Sequence, residues 1–296
     1  MRFGVDLGGT KIELAALDDQ GEMVYRHRVD TPKGDYAATV AAIVSLVREA
    51  EQHLQVEASV GVGIPGAVST KTGRVKNANS TWLIGEDLQG DLSHALQREV
   101  RLANDANCFT LSEAMDGSAK GADCVFGVII GTGCGGGIVI NGQILNGLNS
   151  IAGEWGHNPL PWTYSQGLEC YCGLSGCNET YLSGSGLARH YQQRAGQCLS
   201  AKQIIALALE QQDNIALELL NDYVTWLAKG LASVINMIDP DVIVLGGGLS
   251  NIDYLYQEVP KVWDNWIFSN DKADTLLVKP RYGDSSGVRG AAWLHK

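Results

Sequence analysis

The chain has 296 residues, 45% of them hydrophobic and 19% charged, so it is long enough for two modest domains that each bury a core. Its formal net charge of −11 argues against nucleic acid and against an anionic membrane surface as main partners. No apolar run reaches the roughly 20 residues that span a bilayer, and the N-terminal residues follow a strand pattern, not that of a signal peptide. The seven cysteines do not form a disulfide framework. We therefore expect a cytoplasmic protein.

The chain opens with a pattern typical of a β-hairpin. A strand over 3–7 meets a glycine turn at 8–11, an extended segment follows over 12–17, and Asp19-Gln20-Gly21 supplies the next turn. Apolar residues then recur at helical spacing over 36–54, which predicts an amphipathic helix.

The next predicted elements bring polar residues to the end of a strand. A buried strand over 60–64 precedes a helix over 88–96 and a short strand over 100–103, which ends at Asn104 and Asp105. A carboxylate at that position could accept the proton of an attacking hydroxyl in phosphoryl transfer. It could equally cap the helix that follows. The spacing alone favours neither interpretation.

The second half of the chain begins with the same pattern as the first. A strand over 125–130 leads into a glycine turn at 131–137, a second strand over 138–140 and a tight turn at Asn141-Gly142. Each half thus opens with a strand, a threonine-bearing glycine turn and another strand. The repetition is typical of an ancient duplication, although two short glycine loops also match by chance.

The remaining elements alternate between helix and strand, as in an α/β protein. The pattern predicts a long helix over 217–238, stopped by Asp239-Pro240, and then a buried strand over 242–245. A glycine loop follows that strand. A terminal helix over 285–294 is expected to be opened by Asp284 or Ser285.

Three glycine-rich loops each follow a strand, at 8–11, 131–137 and 246–248. Backbone N–H groups in such loops converge on phosphate oxygens, and an acidic protein would hold a nucleotide triphosphate in this way. The Walker pattern is absent from the chain. The second loop fits the G-x-G-x-x-G dinucleotide fingerprint, but a strand follows it where that fingerprint requires a helix, so a Rossmann site is not predicted.

One short segment carries a complete set of metal ligands. Its imidazole and three thiols are those of His157, Cys170, Cys172 and Cys177. These form a tetrahedral set for Zn²⁺ with no position left open for water, which is typical of a structural site. Glu154 and Glu179 flank the segment, so the metal would fix groups that bind a substrate. The alternative is three reduced cysteines and an unrelated histidine, which the close spacing disfavours.

Taken together, seven motifs closely resemble those of the ROK family of bacterial sugar kinases. They are D-L-G-G-T-K at 6–11, G-I-P-G at 63–66, N-D-A-N at 104–107, G-T-G-C-G-G-G at 131–137, G-E-W-G-H at 153–157, C-x-C-G-x-x-G-C-x-E at 170–179 and L-G-G-G at 245–248. The resemblance covers essentially the whole chain, in order. It implies an α/β, actin/hexokinase-like (ribonuclease H-like) fold with two domains and a cleft for ATP and sugar between them. We expect a smaller domain over 1–117, completed by the C-terminal helix 284–296, and a larger one over 118–283 that carries the zinc-binding segment.

The resemblance also implies the roles of individual residues. It assigns Asp105 as the catalytic base that deprotonates the sugar hydroxyl. The implied sugar ligands are Asn79, Asn104, Glu154, His157 and Glu179. Zinc would be structural and held by the four ligands named above, with one ring nitrogen of His157 on the metal and the other facing the sugar. The implied ATP-binding residues, with Asp6 associated with Mg²⁺, are Asp6, Gly8, Gly9, Thr10, Lys11, Thr132, Gly133, Gly246 and Gly247.

Within the family, the segments 77–82 and 153–162 look most like the fructokinase/mannokinase branch. The expected reaction is therefore ATP-dependent phosphorylation of D-fructose to fructose 6-phosphate, with mannose as a further substrate. N-acetylglucosamine kinase and glucokinase of the same family are the alternatives. We expect Trp82, Trp155 and Trp162 to line the pocket and crowd a 2-acetamido group, although tryptophan is more often a core residue.

A sugar-sensing regulator of the same family is a remote alternative. Such members carry a DNA-binding segment before the first glycine loop, which begins here near residue 6, and the acidic charge also opposes DNA binding. The resemblance favours an enzyme that works as a homodimer on a small-molecule sugar, with neither nucleic acid nor a membrane as partner.

Overall fold

The computed structural model describes residues 1–164 and 167–295. The chain divides into two compact units: unit 1 is Met1–Gly121, Gly137–Ala152 and Arg281–Lys296, and unit 2 is Ala122–Gly136 and Gly153–Pro280. The domain boundaries expected from the sequence, 1–117 with 284–296 and 118–283, stay a prediction. Among the described residues, no helix is both long enough and apolar enough to cross a membrane.

The chain up to residue 121 alternates strands and helices. Its elements are β1 (Arg2–Leu7), β2 (Lys11–Leu17), β3 (Met23–Asp30), α1 (Tyr36–Leu54), β4 (Ser59–Ile64), β5 (Ala67–Val68), β6 (Val75–Lys76), a 3-10 helix (Thr81–Leu83), α2 (Leu88–Leu96), β7 (Val100–Asn104) and α3 (Asp105–Met115). The predicted hairpin, both helices and both later strands are therefore present within a residue or two of their expected bounds.

The sheet of unit 1 has the strand order β3-β2-β1-β4-β7. β1, β2 and β3 form an antiparallel meander, whereas β4 and β7 lie parallel to β1. In the register of the parallel strands, Asp6 is opposite Gly63 and Ile64 is opposite Asn104. Since parallel strands end at the same edge of a sheet, Asp6 and Asn104 lie at one edge together with the loops that follow them.

Helix α1 covers this sheet because its apolar residues lie on one face. Ile43, Val44 and Val47 are buried in the same cluster as Val5 and Val62 of the sheet. Burial of each such side chain contributes about 1.5–3 kcal/mol. Asp35 caps the helix, since its carboxylate accepts a hydrogen bond of 2.9 Å from the Ala38 amide.

The C-terminal helix α9 (Ser286–Ala292) belongs to unit 1 and packs on its strands so closely that the two backbones touch. A Cβ atom at Gly4 would lie 1.9 Å from the Val288 carbonyl oxygen, and one at Gly61 would lie 1.9 Å from that of Ala291, so only glycine fits at both positions. The helix predicted over 284–296 is present but shorter. The helix ends in a 3-10 turn, in which the Leu294 amide donates a hydrogen bond of 3.1 Å to the Ala291 carbonyl.

From residue 122 onward, the residues that the structure describes form three strands followed by four helices, and strands and helices then alternate to the C-terminal helix. The elements are β8 (Cys124–Ile130), β9 (Cys134–Ile140), β10 (Gln143–Ile144), α4 (Asn178–Leu182), α5 (Gly184–Ala195), α6 (Ala201–Leu209), α7 (Asn214–Ile238), β11 (Val242–Gly246), α8 (Asp253–Val262), β12 (Leu276–Val278) and α9, with 3-10 helices at Gly248–Asn251, Trp263–Trp266 and Gly283–Ser285. The long helix begins three residues earlier than predicted, because Asp213 accepts a hydrogen bond from the Ala216 amide and caps it there.

The second sheet has the strand order β10-β9-β8-β11-β12. β11 lies parallel to both β8 and β12, and Gly246 at its end is opposite Ile129 of β8. This register brings two glycine loops, the one that follows β8 and the one that follows β11, to the same edge of the sheet. The loop between β8 and β9 (131–133) and the loop that begins at Gly247 are therefore neighbours in unit 2. The predicted first loop, 131–137, is longer than the observed one, because residues 134–137 pair in β9.

Candidate active site

Asn104 and Asp105 lie where β7 ends and α3 begins. The Asn104 side-chain oxygen accepts hydrogen bonds from the amides of Ala106 (2.9 Å) and Asn107 (3.4 Å), and its amide nitrogen donates to the Gly66 carbonyl (3.2 Å). Asn104 is therefore the cap of α3, and Asp105 is its first residue. The alternative that Asp105 supplies the cap is not what the structure shows. The Asp105 carboxylate accepts a hydrogen bond only 2.8 Å long from the Ala106 amide.

Two carboxylates of unit 1 are unfavourably placed for ionisation. Burial raises the pKa of Asp6 to about 6, and the negative charges of Asp105 and Glu13 add to the rise, which Arg28 opposes. The pKa of Asp105 is also raised, because protein atoms crowd the carboxylate even though part of its surface meets solvent. Hydrogen bonds from the start of α3 oppose that rise. A carboxylate of this kind is a better proton acceptor than an ordinary surface aspartate.

The glycine loop at 8–11 is held by the strand next to it. The Gly8 amide donates to the Lys11 carbonyl (2.9 Å), and Thr31 bonds to the loop through its hydroxyl and its amide (2.8 and 3.0 Å). Gly9 and Thr10 stay exposed, whereas the Lys11 ammonium pairs with Asp30. The loop thus presents its backbone to solvent beside Asp6.

Asn79 lies close to the same edge of unit 1. Its neighbours in sequence, Ala78 and Ser80, are buried, and they approach Gly66 and Gly9. Asn79 itself is exposed. Four segments that the sequence singled out, those around Asp6, Gly66, Asn79 and Asp105, therefore come together in unit 1.

In unit 2, the loop at 131–133, between β8 and β9, is braced by Glu179 of α4. The Glu179 carboxylate accepts a hydrogen bond of 2.9 Å from the Cys134 amide, and a Cβ atom at Gly133 would lie only 2.8 Å from it. The Ser185 hydroxyl donates to the Thr132 carbonyl (2.9 Å). The loop is thus fixed on both sides by groups from the helices α4 and α5.

Gly247 lets the two glycine loops of unit 2 meet. It has a φ of 81°, and a Cβ atom there would lie 2.7 Å from the Ile130 carbonyl, so another residue would be strained and would clash. Beside this contact lies a cavity of about 1230 Å³, whose apolar and polar lining includes Thr132, Ser185 and Tyr254. Its volume is sufficient for a nucleoside. Gly248 reaches the cavity as well.

The four predicted metal ligands come together in unit 2. The ligand atoms of His157, Cys170, Cys172 and Cys177 lie within 4.8 Å of one another. Cys170 Sγ is 3.5 Å from His157 Nδ1, and the Sγ atoms of Cys172 and Cys177 are 3.6 Å apart. Tetrahedral bond lengths to Zn²⁺ imply separations of roughly 3.5 Å for an S···N pair and 3.8 Å for an S···S pair. The donor set therefore fits a zinc ion.

Residues 2–296 match the ROK family. The chain belongs to the ROK family. An N-acetyl-D-glucosamine kinase of Mannheimia succiniciproducens is 42% identical over 99% of both chains, and one of Yersinia enterocolitica is 41% identical over 100% of this chain and 99% of its own.

Solved structures of ROK proteins share the fold. A ROK hexokinase from Thermus thermophilus matches 98% of this chain and 96% of its own, with a TM-score of 0.87 at 29% identity. A ROK family glucokinase from Streptomyces griseus, solved in complex with glucose and AMPPNP, matches 99% and 98% with a TM-score of 0.78, also at 29% identity. The expected α/β, actin/hexokinase-like fold is confirmed.

The structure contradicts the expectation that Trp155 lines a pocket. Trp155, in the G-E-W-G-H motif of this ROK protein, is 4% exposed and packs edge-on against Phe126 at 5.5 Å between ring centroids. Its indole N–H donates to the Gly135 carbonyl (2.9 Å). Trp82 is half-buried against the core of unit 1, and its indole N–H donates a hydrogen bond to the Thr39 hydroxyl. Trp162 is exposed. Trp155 is a core residue, because its ring fills the space between β8 and α7.

Tyr171 was missed by the sequence analysis. Its hydroxyl lies 3.0 Å from Nε2 of His157, and the two rings meet edge-on. The nitrogen that was expected to face a sugar thus has a protein partner in this structure. Position 171 lies between two cysteine ligands, which indicated proximity to the metal, but no sequence pattern indicated a bond to His157. Glu154 is exposed beside this segment.

Proposed function

We propose that this ROK protein is an ATP-dependent sugar kinase whose substrate is N-acetylglucosamine. One observation carries the proposal: N-acetyl-D-glucosamine kinases at 41–42% identity align with nearly the whole of this chain. The expectation of fructose rested on two short segments and on tryptophans that would exclude a 2-acetamido group. Trp155 in the core does not support that exclusion. The relatives favour the alternative expectation over fructokinase.

In the proposed reaction, Asp105 accepts the proton of the attacking sugar hydroxyl. Its place at the end of β7, its incomplete hydration and its raised pKa support this role. Asn104 holds α3 in place as its cap, so the base sits at a fixed position. The oxygen of the deprotonated hydroxyl then attacks the terminal phosphorus of ATP, and ADP leaves.

The glycine loops would hold the nucleotide. The exposed backbone of Gly9 and Thr10 supports the binding of phosphates, and the cavity beside Thr132 and Gly247 supports the binding of a nucleoside. Gly133 belongs to one of these loops, and Gly246 is the last residue of β11, directly before the other. Asp6 would hold Mg²⁺, which neutralises phosphate charge during the transfer. Lys11 is the one proposed ATP ligand whose charge is already paired, with Asp30.

The sugar would be bound by polar side chains, and zinc would shape the segment of unit 2 that carries some of them. The proposed sugar ligands are Asn79, Asn104, Glu154, His157 and Glu179. Zinc on His157 and the three cysteines would hold a loop of unit 2 and would take no part in the chemistry. Glu179 has one oxygen committed to the Cys134 amide, which leaves the other for a hydroxyl group. A homodimer remains a prediction.

The test is a coupled assay of ADP release from MgATP, with N-acetylglucosamine, fructose, mannose and glucose offered separately. We expect the largest kcat/KM with N-acetylglucosamine. The assay is run on protein whose zinc content has been measured, so that loss of the metal is not mistaken for lack of activity. Preference for fructose would restore the first expectation. No turnover with any sugar would contradict a kinase.

A further inference from the structure

A row of charged side chains crosses the three antiparallel strands of unit 1. Asp6 of β1 is opposite Glu13 of β2, and Glu13 is opposite Arg28 of β3. Residues directly opposite in neighbouring strands point to the same face of a sheet. Asp6, Glu13 and Arg28 therefore share one face, next to the exposed glycine loop at 8–11.

Glu13 fixes the arginine. Its carboxylate is only 8% exposed and accepts hydrogen bonds from Nε (2.7 Å) and Nη2 of Arg28. Arg26 bonds to the other carboxylate oxygen through Nε at 2.5 Å. A buried carboxylate needs such partners, so the ion pairs with Glu13 hold the two arginine side chains in place. About half of the Arg28 side chain remains exposed, and its guanidinium has more N–H donors than these bonds use.

The two arginines differ in their place along the sheet. Arg28 is in the same row across the sheet as Asp6. Arg26 is in the next row, opposite Ala15 of β2, which in turn is opposite Gly4 of β1. Arg26 is thus one side-chain position further from the glycine loop. Of the two arginines, it is Arg28 whose charge opposes the rise of the Asp6 pKa that burial and the charges of Asp105 and Glu13 cause. The other cation near the loop, Lys11, is paired with the exposed Asp30.

We propose that Arg28, oriented by Glu13, binds the phosphate groups of MgATP at the loop 8–11. This inference rests on the proposed function, and it adds a binding residue and a positioning residue to it. A guanidinium matches the geometry of phosphate oxygens and forms charge-assisted hydrogen bonds with them. In a protein of net charge −11, a fixed cation at this edge offsets the repulsion between the triphosphate and the nearby carboxylates.

The experiment compares Arg28→Ala with Arg26→Ala. Both variants remove one charge and the hydrogen bonds of one arginine to Glu13, two for Arg28 and one for Arg26. Only Arg28→Ala removes the charge from the row of residues that contains Asp6. Calorimetric titration of each full-length protein with MgATP is expected to show a roughly 10- to 100-fold weaker affinity for Arg28→Ala. For Arg26→Ala we expect about threefold or less. Arg28→Lys should recover part of the affinity, since it restores the charge without the planar donor fork.

Steady-state kinetics separate binding from a purely structural effect. Arg28→Ala should raise the KM for ATP and leave the KM for the sugar unchanged, whereas general damage to the fold would alter both. If Arg28→Ala does not fold, Arg28→Lys and Arg28→Gln carry the same comparison. Equal effects of Arg28→Ala and Arg26→Ala, with normal binding by the wild-type protein, would overturn the inference alone. Absence of MgATP binding by the wild-type protein would overturn the proposed function as well.

Discussion

Helix α3 carries carboxylates at both ends, and the two ends differ in how well those groups are satisfied. At the far end, the buried Glu113 accepts hydrogen bonds from Ser118, from the Arg281 amide (2.9 Å) and from the Ser286 hydroxyl (2.7 Å). At the near end, the Asp105 carboxylate accepts a hydrogen bond from the adjacent Ala106 amide and lies near the negative charge of Asp6. The Glu113 carboxylate thus has several hydrogen-bond donors around it, whereas the Asp105 carboxylate has few.

Next to the Glu113 cluster lies a buried ion pair, in which one oxygen of Asp116 and Nε of Arg289 have no hydrogen-bond partner among the described residues. Asp116, the C-cap of α3, lies 2.5 Å from Nη2 of Arg289, which also donates to the Gly21 carbonyl (2.6 Å) and stacks on Tyr282 at 3.6 Å. These contacts tie α9 to the rest of unit 1. The comparison teaches that burial alone does not mark a functional carboxylate. A carboxylate with every partner in place stabilises the fold, whereas one that lacks them is poised to bind a proton, a cation or a substrate.

The largest expected effect is that of Asp105→Asn. Asparagine keeps the size of the side chain but cannot accept the proton, so kcat should fall by about 10²- to 10⁴-fold. The melting temperature should stay the same or rise, because the raised pKa means that the charged carboxylate is unfavourable in the folded state. Turnover within tenfold of the wild type would remove Asp105 from the role of base.

Glu113→Ala, in contrast to Asp105→Asn, is expected to lower the stability of the fold. It leaves buried donors of Ser118, Arg281 and Ser286 without an acceptor, so the free energy of unfolding should fall by about 3–5 kcal/mol. Urea denaturation measures the loss. Glu113→Gln, which keeps one acceptor oxygen, should lose less. A variant of normal stability but with little activity would show that Glu113 belongs to the site and would break the comparison.

These two carboxylates also show which features of the fold and the site can be predicted from the sequence. Asp105 was found because it follows a strand in a recognisable motif, and the metal ligands were found because they lie close together in the chain. Local patterns likewise predicted the hairpin, the glycine loops and the main helices. Such features depend on neighbouring residues, and neighbouring residues are what a single sequence displays.

The features that were missed depend on distant residues. Glu113 meets Ser286 across 173 positions, and Arg289 meets Asp116 across the same separation. Trp155 was expected in a pocket because nothing in its motif shows that Phe126 and Gly230 enclose it. The bond from Tyr171 to His157 depends on how a loop folds. Only the packed structure determines such contacts.

The smallest expected effect concerns Asp6 and the pH dependence of stability. Its pKa rises from 3.8 to about 6 on folding, so the folded protein binds this proton more tightly than the unfolded chain. Stability from this group is complete below about pH 4 and is lost as the pH rises through 6. Asp6→Asn should therefore raise the melting temperature by a few degrees at pH 7.5, and the gain should shrink toward pH 4.

The matched control for Asp6 is Asp116→Asn, which removes a carboxylate that has its cation in place. At pH 7.5 it should lower the melting temperature, because Arg289 then stays buried without its counter-charge. Both variants are measured in buffer without Mg²⁺, since a cation on Asp6 would offset the penalty that the experiment is meant to detect. The two substitutions are chemically identical, so opposite signs can come only from the surroundings. Equal signs would mean that the partners of a carboxylate do not decide its role in this unit.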